Sequence, residues 1–184
     1  MTGNKTRVFI NLYFREYISR SEDGIRMGHA RFHWAVWAQR KNSKGLGYTY
    51  EAIELDSYNN MPGSGGWTFK HRPANWTNSG MLMLRILAGK LPPGTTYENV
   101  RDVLATIPLP RPGVAPVENC VTWTRQAILM CQERGWMEQF DVDAFMNNAL
   151  QLGAKCLDTN KFPSSKSVAN FTNRRLEEKV DIAL

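Results

Sequence analysis

FHWAVWA (residues 32–38) and YTYEAIELD (residues 48–56) are two runs rich in β-branched and aromatic residues, separated by the polar segment QRKNSKGLG (residues 39–47). Composition of this kind favours strands, and so short a connection predicts an antiparallel hairpin. A preceding run, Arg7–Phe14, and a following one, Trp67–Arg72, have the same character. The first half of the chain therefore predicts a small antiparallel sheet.

The second half of the chain favours helices. Met81–Ala88 is an apolar run rich in Leu and Met, which predicts a buried helix, with a strand as the alternative. Four prolines within residues 108–116 predict a stiff extended loop. Capping patterns mark three further helices: one opening at Thr95-Thr96-Tyr97-Glu98, one running from Asn119 to Gly135, and one over Asp141–Leu152 that ends at Gly153. The predicted fold class is α+β, a small antiparallel sheet packed against helices.

Length and composition predict a single soluble domain. The chain has 184 residues, 42% of them hydrophobic, and a mean hydropathy of −0.42. Residues 1–157 are expected to form one α+β domain, and residues 158–184 a polar tail with a short helix over Asn173–Ile182. No apolar run approaches the ~18–20 residues of a membrane span, which excludes integral membrane function. No secretory signal is evident, so the expected location is cytoplasmic.

Basic residues concentrate in the N-terminal quarter. Residues 1–45 contain nine Lys and Arg against three acids, which accounts for the whole net charge of +6. Such a segment could bind nucleic acid or another acidic partner, although a solvated surface is the more common reason for it. Because no nucleic-acid-binding signature accompanies the charge, nucleic acid is a secondary expectation.

Cysteine and histidine spacing predicts neither a disulfide framework nor a metal site. The three cysteines (Cys120, Cys131 and Cys156) are odd in number and widely separated, and the three histidines lack ligand spacing. The glycine-rich loops that bind nucleotide phosphates are missing from the sequence. No cofactor is therefore expected.

Asn119-Cys120, at the predicted start of a helix, is the strongest candidate for chemistry. A thiolate there lies near the positive end of the helix dipole and near unpaired backbone N–H groups, which lower a thiol pKa and can bind an oxyanion. The alternative is a small residue that packs a helix start. Cys131, three turns along the same face, is interpreted as a core thiol, and Cys156 as inert.

His33 is the candidate base because it lies inside the apolar run FHWAVWA. A histidine there is either a hydrogen-bonded core residue or part of a site. With the hairpin turn centred near Lys44, His33 is expected opposite residue 54 or 55. Glu54 and Asp56 project from one face of that strand, where either carboxylate could hold the imidazole, unless both face solvent.

The order of these parts resembles the papain-like thiol enzymes in their permuted form, the group of NlpC/P60-related, lecithin:retinol acyltransferase-like and PPPDE proteins. The matching parts are FHWAVWA with His33, the strand YEAIELD, and the helix ENCVTWTRQAILM with Cys120. The helix start is also similar to that of small fungal proteins of this kind. This chain departs from the group in offering acids where the third residue is often His, Asn or Gln.

The resemblance implies a thiol-dependent hydrolase or acyltransferase that acts on the amide, isopeptide or ester carbonyl of a peptide or small molecule. Cys120 would be the nucleophile, His33 the base, and Glu54 or Asp56 the residue that orients it, with Asn119 beside the nucleophile. Two alternatives stay open. One is a cyclase or condensing enzyme on the same fold, and the other is a non-enzymatic binding module that uses the basic N-terminal quarter.

Overall fold

The computed structural model describes residues 6–55, 66–159, 162 and 166–174. Within these ranges a six-stranded mixed sheet has the order β4-β3-β2-β1-β5-β6. Its strands are β1 (Thr6–Tyr13), β2 (His33–Arg40), β3 (Leu46–Glu54), β4 (Trp67–Asn75), β5 (Leu82–Lys90) and β6 (Ser167–Asn170). Neighbouring strands pair antiparallel except β5 and β6, which are parallel. The sheet is thus mixed, although the sequence predicts an antiparallel one.

Four α-helices accompany the sheet in the described part of the chain: α1 (Glu22–Arg26), α2 (Tyr97–Leu104), α3 (Cys120–Glu133) and α4 (Val142–Asp158). Two short 3-10 helices cover Gly28–Arg31 and Trp76–Asn78. The main hydrophobic core lies between one face of the sheet and the helices, and includes Ile10, Val36 and Ile86 from the strands with Trp123 and Phe145 from the helices. The α+β class predicted from the sequence is confirmed. None of these helices has the length and apolar character that a bilayer crossing requires.

The hairpin of β2 and β3 is confirmed, but its register is not the predicted one. Val36 pairs with Tyr50 and Ala38 with Tyr48, so the turn is centred on Ser43 rather than Lys44. Continued along both strands, this register places Ile53, rather than residue 54 or 55, opposite His33, and side chains alternate between the two faces along a strand. The observed register puts Glu51, rather than Glu54, on the face of His33.

β5 occupies the segment for which the sequence favours a buried helix. Its residues 82–89 are all buried, because β1 and β6 flank it and both of its faces are covered. A strand buried on both faces has no alternation of apolar and polar residues. The periodicity of Met81–Ala88 therefore cannot separate strand from helix, and the alternative reading, a strand, is the correct one.

α4 continues past Gly153, where the sequence predicts its end. A Cβ atom at residue 153 would lie 2.7 Å from Phe32 Cε2 and 3.1 Å from Leu12 Cδ2. The glycine therefore permits close packing of the helix on β1 and the start of β2, and it does not terminate the helix.

The domain extends beyond residue 157, its predicted boundary. β6 lies within the predicted polar tail and pairs with β5 from Leu84–Ser167 to Leu87–Asn170. The helix predicted over Asn173–Ile182 falls mainly on residues 175–184, which lie outside the described residues.

Candidate active site

The site begins where β3 separates from β2. The ladder between them covers only residues 36–38 of β2, whereas β1 stays paired with β2 as far as His33. In an antiparallel strand the N–H and C=O of one residue point to the same side. Both groups of Trp34 bond to α3, since its N–H donates to the Cys120 sulfur and its carbonyl accepts from Thr124 Oγ1 at 3.4 Å. The first turn of α3 thus occupies the gap in the sheet.

Cys120 is the first residue of α3, a helix of 14 residues. Asn119 caps this helix: its Oδ1 accepts from the Val121 N–H at 2.8 Å, and its own N–H donates to Thr122 Oγ1 at 2.9 Å. The Cys120 N–H belongs to the first turn, whose N–H groups have no acceptor within the helix. Asn119, which the sequence analysis includes among the site residues, therefore positions the nucleophile through the helix start.

His33 lies at the first position of β2, beside both Cys120 and an acid. Its Nε2 is 2.7 Å from Glu51 Oε2, and the His33 side chain is 23% exposed while that of Glu51 is 10% exposed. Because Glu51 engages Nε2, Nδ1 is the ring nitrogen available to the Cys120 sulfur, with which His33 is hydrogen-bonded. The three side chains form a chain of hydrogen bonds from carboxylate to imidazole to thiol.

Electrostatics favour the charged forms of the thiol and the imidazole. Burial by itself would lower the pKa of His33, but the hydrogen bonds and charges of Cys120 and Glu51 raise it to about 9. Burial would likewise raise the pKa of the Cys120 thiol, but the His33 hydrogen bond and charge, the Trp34 N–H and the charge of Arg15 bring it below its ordinary value. Each of the two groups thus favours the charged form of the other, as in a thiolate–imidazolium pair.

Arg15 comes from the loop after β1, which is held in place by a buried serine. Ser19 Oγ accepts from the Arg15 N–H and donates to the Arg31 carbonyl, both at 2.8 Å. The Arg15 guanidinium donates to the Ala30 carbonyl. This loop brings a permanent positive charge near the Cys120 thiol.

A cleft of about 680 Å³ opens onto Cys120, His33 and Glu51. One wall is the proline-rich segment before α3, which a salt bridge ties back to the helix entrance. Arg111 donates from its backbone N–H and its guanidinium to Glu118, at 2.6–3.2 Å, and this contact lowers the pKa of Glu118 to about 2. The opposite wall is formed by β3 and β4, including Trp67. Cys120 is among the residues that line this cleft, although it is only 5% exposed.

The structure brings together two of the site residues predicted from sequence, Cys120 and His33, and replaces the third. Glu54 lines the cleft, but Glu51 makes the hydrogen bond to His33. Asp56 lies outside the described residues. Sequence reasoning missed Glu51 because it considered only the acids nearest to residue 55. In the observed register Ile53 corresponds to His33, and Glu51 is the next residue on the same face.

The other cysteines and histidines lie apart from this chain of hydrogen bonds. Cys131 is fully buried in the core, as predicted, and burial raises the pKa of its thiol to about 12. Cys156 is also buried, at 1% exposure. His71 is exposed on β4. Within the described ranges no cluster of three or more His, Cys, Asp or Glu side chains is arranged to hold a metal ion.

Part of the basic N-terminal quarter forms a separate surface at the other end of β2. Arg7, Arg40, Lys41 and Lys44 line a cavity of about 380 Å³ together with Trp76, and no acid is among its described lining residues. Seven residues of strand separate His33 from Arg40, or ~23 Å at ~3.3 Å per residue. This surface is therefore independent of the cleft.

Comparison with known proteins yields one family. Residues 5–172 match the model of a family of unknown function, DUF6914. No curated protein and no solved structure matches the chain.

Proposed function

The chain belongs to the DUF6914 family, whose function is unknown, and from the geometry of its cleft we propose that it is a thiol-dependent hydrolase or acyltransferase. The substrate is an amide, isopeptide or ester carbonyl of a peptide or small molecule. The observation that carries the proposal is the hydrogen-bonded chain of Glu51, His33 and Cys120 at the mouth of a cleft. A nucleophile, a base and a group that orients the base are the minimum set for covalent acyl transfer.

The reaction follows from the charges of the pair. The Cys120 thiolate attacks the carbonyl carbon and forms a C–S bond, while the negative charge moves to the carbonyl oxygen near the N-terminus of α3. His33, as imidazolium, donates its proton to the leaving nitrogen or oxygen as that bond to carbon breaks, which leaves a thioester. Neutral His33 then takes a proton from water, or from an acceptor alcohol or amine, which attacks the thioester and releases Cys120.

Glu51 acts by orienting the imidazole. Its carboxylate accepts the Nε2 proton, which selects the ring orientation that turns Nδ1 to the thiol and stabilises the imidazolium. Glu51 is buried, so an uncompensated charge there would be costly, and a protonated His33 compensates it.

The arrangement also supports the papain-like architecture implied by the sequence. A helix that begins with the nucleophile docks at the strand that bears the histidine, and the acid follows on the next strand. This is the order of parts on which the resemblance rests. We therefore propose the permuted papain-like group as the structural relatives of this family.

Acyl-enzyme formation tests the proposal directly. Wild-type protein, Cys120→Ser and the control Cys131→Ala are mixed with p-nitrophenyl acetate, and intact mass is recorded before and after hydroxylamine. We expect one acetyl group on Cys120 in the wild type and in Cys131→Ala, removed by hydroxylamine, and none on Cys120→Ser. Acetylation that is the same in Cys120→Ser would overturn the proposal.

The same experiment distinguishes the proposed function from that of a cyclase or condensing enzyme. Acid–base chemistry by Cys120 or His33 needs no covalent acyl group on sulfur. Turnover of a substrate without any trapped thioester would favour that alternative.

A binding module is a second candidate, favoured by the cavity lined by Arg7, Arg40, Lys41 and Lys44. Its ligand would be a polyanion such as nucleic acid. Oligonucleotide binding, measured by fluorescence anisotropy, should then weaken steeply between about 50 and 200 mM salt. At a given salt concentration, Arg40→Glu should bind the oligonucleotide more weakly than the wild type. If the wild-type protein does not bind the oligonucleotide even at low salt, this candidate function is excluded.

A further inference from the structure

β4 contributes two cations to the wall of the cleft. In the ladder between β3 and β4, Lys70 pairs directly with Glu51, and Arg72 pairs with Thr49. Residues two apart share a face, so Lys70 and Arg72 project on the same side as Glu51. Both line the cleft, and both are exposed. They therefore lie one strand, ~4.8 Å, beyond the acid that holds His33.

The acids of the cleft are already engaged by other groups. Glu51 is hydrogen-bonded to His33, and Glu118 forms its salt bridge with Arg111. Glu54 has a contact of its own. Among the described residues no ion pair joins a carboxylate to Lys70 or Arg72. The two cations are thus placed to meet a charge brought by a ligand.

The reacting pair of Cys120 and His33 does not cancel the positive charge of Lys70 and Arg72. A thiolate and an imidazolium are together neutral, so the flanking residues determine the potential that an approaching molecule meets. Arg15 adds a third positive charge on the side of Cys120, as its effect on the thiol pKa shows. Besides the reacting pair, the charged side chains that line the cleft are four cations (Arg15, Lys70, Arg72 and Arg111) and three acids (Glu51, Glu54 and Glu118). This excess of positive charge favours anionic ligands.

We infer that the acyl substrate of Cys120 carries an anionic group, a carboxylate or a phosphate, which binds Lys70 and Arg72 beside the scissile carbonyl. This inference rests on the proposed function, because it takes Cys120 as the reacting atom. Lys70 and Arg72 act as specificity residues, and they are distinct from the groups that perform the bond-breaking steps.

Two alkylating agents that differ in charge test the inference. Iodoacetate and iodoacetamide transfer groups of nearly equal size to a thiolate, and only iodoacetate is anionic. Rates of Cys120 modification by each are measured at neutral pH and low salt for wild type and for Lys70→Glu/Arg72→Glu. Lys155→Glu, a charge reversal at an exposed position on α4, is the matched control.

We expect the double variant to lower the ratio of iodoacetate to iodoacetamide rates by roughly threefold to tenfold, since charges ~10 Å apart in water interact weakly but additively. The wild-type ratio should fall as salt is raised, because the Debye length shortens. In the control Lys155→Glu, both the iodoacetamide rate and the ratio of the two rates should stay at wild-type values. Stronger protection against iodoacetate by inorganic phosphate than by acetate assigns a phosphate, and the reverse order assigns a carboxylate.

The two possible failures are distinguishable. A ratio unchanged in the double variant, with Cys120 still reactive to iodoacetamide, overturns this inference and leaves the proposed function standing. A Cys120 that reacts with neither agent faster than the core cysteines overturns the proposed function and this inference with it.

Discussion

His33 Nε2 lies 2.7 Å from Glu51 Oε2, and the two residues belong to neighbouring strands that are not hydrogen-bonded to each other at that point. The contact spans the gap in the sheet into which the first turn of α3 docks. Because the gap exposes the imidazole to the sulfur of Cys120, the same feature that interrupts the ladder assembles the site.

Cys120 should be the reactive thiol of the protein. Its pKa is lowered by the His33 hydrogen bond and charge, which outweigh its burial, whereas burial raises the pKa of Cys131 to about 12. We expect iodoacetamide to modify Cys120 well below pH 8 and much faster than Cys131 or Cys156. Intact mass and peptide mapping across pH measure this, and equal, slow labelling of all three cysteines would contradict it.

Hydrolytic activity should have a bell-shaped pH profile. Activity rises as Cys120 loses its proton, at a pH below the ordinary thiol pKa. It falls again through about pH 9, because there His33 loses the proton that it must donate to the leaving group. Initial rates of ester hydrolysis from pH 5 to about 10.5 report both limbs. An alkaline limb near the ordinary histidine pKa of ~6.5 would be inconsistent with the observed hydrogen bonds.

Glu51→Gln should lower the fraction of Cys120 that is ionised while the protein still folds. Glutamine keeps the shape of the side chain but not the negative charge that raises the pKa of His33. We therefore expect the His33 pKa, measured by NMR of the ring protons, to fall towards its ordinary value, and Cys120 alkylation at pH 7 to slow by about tenfold, the change that one pKa unit produces. Glu54→Gln, the matched control, should leave both quantities near those of the wild type.

His33→Gln separates a base from a structural histidine. Glutamine can donate to Glu51 but cannot carry a positive charge, so the protein should fold with a melting temperature a few degrees lower at most, whereas the pKa of Cys120 should move up to near the free value of ~8.5. His33→Ala should also lower the free energy of unfolding by on the order of 2–4 kcal/mol, because it leaves buried Glu51 without its histidine partner. A glutamine variant that alkylates at the wild-type rate would exclude His33 as the base.

Gly153→Ala should destabilise the protein. In an exposed helix this change stabilises by ~1 kcal/mol. Here the added methyl group would meet Phe32 Cε2 at 2.7 Å, and Phe32 is fully buried. We expect a loss of about 1–3 kcal/mol in urea unfolding. The control Asn147→Ala, at an exposed position of α4, should instead stabilise by about 0.5 kcal/mol.

Local patterns in the sequence were sufficient for the strands β1 to β4 and for the starts of α2 and α3. Alternating or β-branched runs specify strands, and short capping motifs specify helix starts, because these signals involve residues only a few positions apart. Asn119 caps α3, as the sequence indicates, whereas α2 is capped by Thr96 with Asn99, one residue after the predicted Thr95–Glu98 capping box. The same local argument identified Cys120 as a candidate nucleophile and His33 as its candidate base.

Tertiary structure alone decided β5, the length of α4, the strand β6 and the identity of the third site residue. β5 is buried on both faces, so no period distinguishes it from a helix, and Gly153 reflects a contact with Phe32, which lies more than a hundred residues away in sequence. Glu51 became the partner of His33 because β3 separates from β2 beyond the paired residues 36–38 and its register differs from the expected one. Each of these outcomes depends on which distant segments pack together, and the free energy of that packing is not encoded in the spacing of neighbouring residues.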